Sequence, residues 1–163
     1  MERETVIKIL LFCRDIDKEI ALNKRILRDF EHRYYNSIGG GITFDGITKS
    51  RYKITNITES AALNIPDSVN IVMRKLQKQN EQLYKLKDEI LQGINALPYP
   101  QNDIIYDFYI QGFQWIKISA KVHYGETQCK NVRNYALDNL VELFSKKKLI
   151  KNLLLERGCK LLP

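Results

Sequence analysis

From Val6 onward, apolar side chains return every three or four residues: Val6, Ile9, Cys13, Ile16, Ile20, Leu27, Phe30 and Tyr34, with the polar Asn23 in the same seam. Such spacing commits the chain to helix, because about 3.6 residues per turn gathers these positions into one stripe, and a stripe so narrow is covered best by a second helix. Leu10, Leu11 and Ile26 widen it toward a bundle face. A second seam of the same length follows: Val69, Val72, Leu76, Leu83, Leu86, Ile90 and Leu97, with Gln79 and Gly93 in the remaining places. Two matched stripes predict a long N-terminal antiparallel hairpin, coiled-coil-like and suited to oligomerisation. If the connection is roughly symmetric about residue 51, Asn23 and Gln79 come to nearly the same level. Their amides are then expected to meet as a polar layer that penalises slipped registers.

The connection spans about residues 36–65 and includes Gly39, Gly40 and Gly41. Asp45-Gly46 suits a hairpin turn after Ile42 to Phe44, and Arg51 to Thr55 alternates as a strand does. Lys49, Arg51 and Lys53 read as solvated loop charges, with contact to DNA the alternative. Pro66 suits the first turn of the second helix, and Pro98 and Pro100 end it. The expected organisation is therefore all-α: the hairpin over 1–97, a three-helix helix-turn-helix domain over 98–145, and a short basic amphipathic C-terminal helix over 146–163.

In the middle segment Asn102 can cap a short helix with Asp103 in its first turn, an apolar face of Ile104, Ile105, Phe108 and Tyr109, and Gly112 as its stop. Next comes Trp115 to Asn134, in which Trp115, Ile118, Val122, Cys129, Val132 and Ala136 fall where a helix-turn-helix buries its core. Ser119 is small where two backbones must approach. His123 sits where the turn needs positive φ, a region in which histidine is among the few enriched non-glycine types. Trp115 is expected at the centre of this core, where its loss would cost about 3 to 5 kcal/mol.

At about 100° per residue, Cys129, Val132, Ala136 and Leu140 make the inward stripe of the second helix. Thr127, Lys130, Asn131 and Asn134 then project outward. Asn can pair with adenine and Lys can donate to guanine, so these four are the candidate base readers. Lys117, Lys121 and Arg133 are the candidate phosphate contacts, with a structural role the alternative for Arg133, which lies near the inward stripe. Glu126 suits the helix dipole and opposes a nearby phosphate unless it accepts from a cytosine amino group. The formal net charge is +7, and residues 112–163 carry ten basic against four acidic side chains, as a polyanion partner requires. Lys146, Lys147 and Lys148 are equally explained as a solvated tail. Leu149, Ile150, Leu153 and Leu154 give the last helix one apolar side, fit to pack home or to meet a partner.

Cys13, Cys129 and Cys159 are odd in number and widely spaced, which points to reduced thiols in a cytoplasmic protein and away from disulfides or zinc. No apolar run suits a signal peptide or a membrane span. His32 and His123 lie on separate elements, and no paired-carboxylate or phosphate-loop motif is present. The chain reads as non-enzymatic, with no cofactor and no metal site.

The residues Leu97-Pro98, Tyr109-Ile110-Gln111-Gly112, Trp115, Ile118, Tyr124 and Ala136-Leu137 resemble region four of sigma factors. The tract Trp115-Ile116-Lys117-Ile118-Ser119, Val122-His123-Tyr124-Gly125 and Ala136-Leu137 is similar, more closely, to the bacteriophage late-gene transcriptional regulators of the ArpU and RinA type. Those proteins show Trp-x-x-Ile-Ala, Leu-Gly-Tyr-Ser and Ala-Leu, so Ser119, His123 and Gly125 depart from the pattern. The resemblance extends more weakly to the N-terminal helices. It implies a phage or prophage origin, action on DNA in the cytoplasm and nucleoid of a bacterial host, and contact with host RNA polymerase.

The expected function is a sequence-specific regulator of transcription that binds double-stranded DNA as a homo-oligomer, a dimer through the hairpin. Two other readings fit the same residues. One is a small terminase subunit of a phage packaging machine, which a ring of many subunits would reveal. The other is a helical adaptor that binds protein and no DNA, which an absence of salt-dependent DNA affinity would reveal.

Overall fold

A computed structural model describes residues 1–39 and 66–157. Val6, Ile9, Leu10, Cys13, Ile16 and Ile20 are buried along the first helix, α1 (Arg3–Gly39). Leu11, expected to widen this face, is exposed. Every secondary-structure element among the described residues is a helix, with no strand among them. No helix among them is long and apolar enough to cross a membrane. The turn expected at Asp45-Gly46, the strand pattern of Arg51 to Thr55, and Lys49, Lys53 and Cys159 lie outside the described residues, as do the side chains of Tyr34, Leu153 and Leu154.

Contacts divide the chain into two compact units, Met1–Glu19 with Gln82–Pro163, and Ile20–Glu81. The division runs through both long helices, whereas the sequence places the boundary at Leu97-Pro98. In the first unit the reason is visible in the side chains. Arg3 of α1 pairs with Asp138 of the fifth helix, and this neighbour holds the Asp138 carboxyl below the usual carboxylate range. Lys87 of α2 (Asp67–Asn95) donates to both carboxylate oxygens of Asp17, at 2.7 and 2.6 Å.

The unit Ile20–Glu81 corrects the expected polar layer. Gln79 is exposed, and Asn23 Nδ2 donates instead to Asn80 Oδ1 at 2.9 Å, both residues being buried. The slip has a simple origin. From Leu76 a step of three lands on Gln79 and a step of four on Asn80, and both phases share Leu76, Leu83, Ile90 and Leu97. The same phase change leaves Val72 exposed and buries Ile94 in the other unit.

This pair makes a testable prediction. Asn23→Leu or Asn80→Leu alone leaves the other buried amide without its partner, a loss of about 1 to 3 kcal/mol. The double Leu variant removes both polar groups and is expected to melt at or above the wild type, with a looser helix register. A double variant that melts as low as the singles, at unchanged solution mass, contradicts the pairing.

The rest of the first unit is built from short helices. α3 (Gln101–Ile105) passes directly into a π turn (Tyr106–Ile110), then come α4 (Trp115–Val122), α5 (Glu126–Ser145) and α6 (Lys148–Arg157). Asn102 lies inside α3, not at its cap; Pro100 holds that position, and Asn102 Oδ1 accepts from the Asp103 amide at 2.8 Å. The wider π turn lets Asp107 join Tyr109 on the buried side, a change of helix type that a strict 3.6 spacing does not foresee. It closes at Gly112, whose φ of +69° permits the Phe113 amide to reach back to the Asp107 carbonyl at 2.9 Å. α3 and α4 pack on α5, and α6 packs on α5 in turn. Ile150 of α6 is fully buried and Leu149 is exposed, so this helix packs home through Ile150.

Cys13 and Cys129 are buried free thiols. Burial pushes the Cys13 thiol up to about 11, and it raises Cys129 as well, so neither offers a reactive thiolate near neutral pH.

Candidate nucleic-acid interface

The turn between α4 and α5 is set by backbone hydrogen bonding. His123 adopts φ 58° and ψ 35°, the left-handed conformation. Its amide and that of Tyr124 both donate to the Ser119 carbonyl, the latter at 3.2 Å, which satisfies the end of α4. Ser119 Oγ turns back to the Ile116 carbonyl at 3.0 Å. Gly125 then enters α5 at φ −66°, ψ 152° without a side-chain cap. Ile104, Ile118, Val122 and Cys129 form a buried cluster beneath this turn.

Trp115 is placed differently from the expectation. It is only partly buried and lies at the edge of that cluster, beside Phe108, Phe113, Tyr124 and Val132. Its ring stacks on Phe108 with centroids 4.3 Å apart. The centre belongs to Ile104 and Ile118, so the loss on replacing Trp115 falls below the range for a fully buried tryptophan.

Along α5, Cys129, Ala136 and Leu140 are fully buried and Val132 is partly so. Thr127, Lys130 and Asn131 are exposed, and Asn134 is half-buried. These four therefore share the side of α5 away from its packed stripe. Lys130 Nζ lies 3.7 Å from Glu126 Oε2 and over the face of Trp115, 5.9 Å from the ring centroid.

The candidate phosphate contacts divide into three cases. Lys117 is exposed, with its ammonium 3.4 Å from the Phe113 ring centroid. Arg133 is half-buried, its guanidinium 5.5 Å from the Trp115 centroid and 5.9 Å from that of Phe108. It donates through Nε and Nη2 to Asn134 Oδ1, at 3.2 and 2.9 Å. Lys121 is exposed but paired within the unit: its Nζ donates to Asp107 Oδ2 at 2.8 Å and lies 3.6 Å from Asp103 Oδ2. The Asp107 hydrogen bond is the main cause that raises the Lys121 pKa. With two carboxylates around one ammonium, Lys121 offers no excess positive charge to a phosphate.

Asp107 is the functional neighbour that pattern reading misses. Its side chain is 4 % exposed, yet in sequence it is one acidic residue among apolar ones. The signal available was its place beside Phe108 and Tyr109 on an otherwise apolar face, with a lysine in the next helix.

No family model, curated protein or solved structure matches the chain.

Proposed function

We propose that the chain is a sequence-specific regulator of transcription that binds double-stranded DNA, with α4 and α5 as its helix-turn-helix and α5 as the reading helix. The observation that carries the reading is the division of α5 into two sides. Cys129, Ala136 and Leu140 are buried, while Thr127, Lys130 and Asn131 are open and Asn134 is half-open beside them. A reading helix needs that division, with donors and acceptors presented from its N-terminal half toward base edges. The ten basic and four acidic side chains of residues 112–163 supply an attractive field for a polyanion.

Thr127, Lys130, Asn131 and Asn134 face the bases in this proposal, and Lys117 holds a phosphate. Arg133 positions Asn134, and Lys121 is structural. The resemblance in Trp115 to Leu137 adds the setting: a phage or prophage late-gene regulator working with host RNA polymerase in the bacterial cytoplasm. The long helices α1 and α2 would join two copies, with reading helices one turn of DNA, roughly 34 Å, or a multiple apart.

The test is selection of bound fragments from random duplex DNA by the full chain, with the mass of the complex measured by light scattering. A recurring motif bound by a dimer supports the proposal. Absence of salt-dependent affinity for any duplex overturns it, and a ring of many subunits favours packaging. On the selected site, Asn131→Ala is expected to lose about 1 to 3 kcal/mol and to leave random DNA unaffected. Equal losses on both would remove Asn131 from the base readers.

A further inference from the structure

Arg133 and Asn134 together restrict what Asn134 can recognise. A guanidinium has only donors, so the Asn134 atom facing it must be the carbonyl oxygen. Oδ1 accepts from both Nε and Nη2, at 3.2 and 2.9 Å, which occupies its two lone pairs. The guanidinium is itself held over the Trp115 and Phe108 rings, at 5.5 and 5.9 Å from their centroids. Asn134 Nδ2 has no hydrogen-bond partner among the described residues, so the amide has two protons to give and no lone pair to offer.

Resting on the reading of α5 as the DNA-recognition helix, we infer that Asn134 is a donor-only contact selecting guanine, and that Arg133 is the positioning residue that makes it so. Free asparagine favours adenine because it pairs an acceptor with the N6 amino group and a donor with N7. With Oδ1 occupied, the adenine amino group finds no acceptor. Guanine presents N7 and O6, two acceptors side by side, and suits an amide that can only donate. Lys130, one helical turn earlier and also donor-only, extends the same preference. Among the described residues Asn131 has no such partner on its carbonyl, and it keeps the adenine option.

The experiment is bound-fragment selection with the full-length wild type, Asn134→Asp and Arg133→Leu, each checked for folding by its thermal melt. The wild type is expected to enrich guanine over adenine by about ten-fold at one base pair. Asn134→Asp keeps an acceptor for Arg133 but replaces the Nδ2 donor by an oxygen, so that base pair is expected to shift to cytosine, whose amino group donates. Arg133→Leu keeps apolar contact with the rings and frees Oδ1, so adenine is expected to rise at the same position.

A motif that Asn134→Asp leaves unchanged overturns the inference and leaves the DNA-binding proposal standing. So does a wild-type preference for adenine at the base pair that responds to Asn134→Asp. If the wild type enriches no motif at all, both fall. Should Arg133→Leu fail to fold, the Asn134→Asp selection decides alone.

Discussion

Phe144→Ala is expected to lower the unfolding free energy by about 3 to 5 kcal/mol, and Gly93→Ala to destabilise the same contact from the other side. Phe144 is fully buried near the end of α5, and its ring lies directly on Gly93 of α2. A Cβ placed on Gly93 would overlap Phe144 Cε1 and lie 3.2 Å from Cδ1. Helix propensity alone favours Ala over Gly by about 1 kcal/mol, so the two effects oppose each other. Packing should win, because a buried ring has no free volume to retreat into and overpacking costs about 1 to 3 kcal/mol. The predicted sign for Gly93→Ala is therefore a net loss in urea unfolding, at unchanged m-value. Gly93→Ala combined with Phe144→Leu should be more stable than the sum of the single losses predicts, since the smaller side chain makes room for the methyl. A Gly93→Ala protein more stable than wild type would remove the close approach.

The all-helical class was legible because two seams of three-and-four spacing leave little alternative, and α1 buries its expected residues from Val6 to Ile20. The phase of α2 was not. Leu76, Leu83, Ile90 and Leu97 fit either of two stripes one residue apart, and only the partner helix decides that Asn80 and Ile94 face inward. The αL residue at His123 was readable, because a turn of fixed length demands positive φ at one place. Trp115 was misplaced for a general reason: ring size argues for burial but does not say whether the ring fills the centre or covers the edge. The partners of Arg133, Lys121 and Asp107 depend on where a π turn and a neighbouring helix bring their ends, distances that no spacing rule contains. A ten-to-four excess of basic residues gave the sign of the field over residues 112–163. It could not show that two of the three expected phosphate contacts are occupied within the fold.

Lys121→Met is expected to cost about 2 kcal/mol in stability and to leave the salt dependence of the proposed DNA binding unchanged. The Asp107 carboxylate is almost wholly buried, and the variant strips it of its cation. Breaking a buried pair costs about 3 to 5 kcal/mol; here the Lys121 side chain is 49 % exposed, so water screens part of the interaction and the loss falls below that range, to about 2 kcal/mol. Asp107→Asn removes the charge that needs neutralising, and in that background Lys121→Met should cost well under half as much. The pH profile carries a sign of its own. Because Asp107 raises the Lys121 pKa, the pair's contribution is fully present below the ordinary lysine value of about 10.4 and is lost as pH rises through the folded value. The stability gap between wild type and Lys121→Met should therefore be constant at neutral pH and close in the alkaline range. A lysine on a phosphate behaves otherwise: its removal lowers the slope of log affinity against log salt by about 1 and leaves unfolding nearly untouched. A shallower salt slope with unchanged stability would return Lys121 to the DNA backbone and take from Asp107 the cation assigned to it.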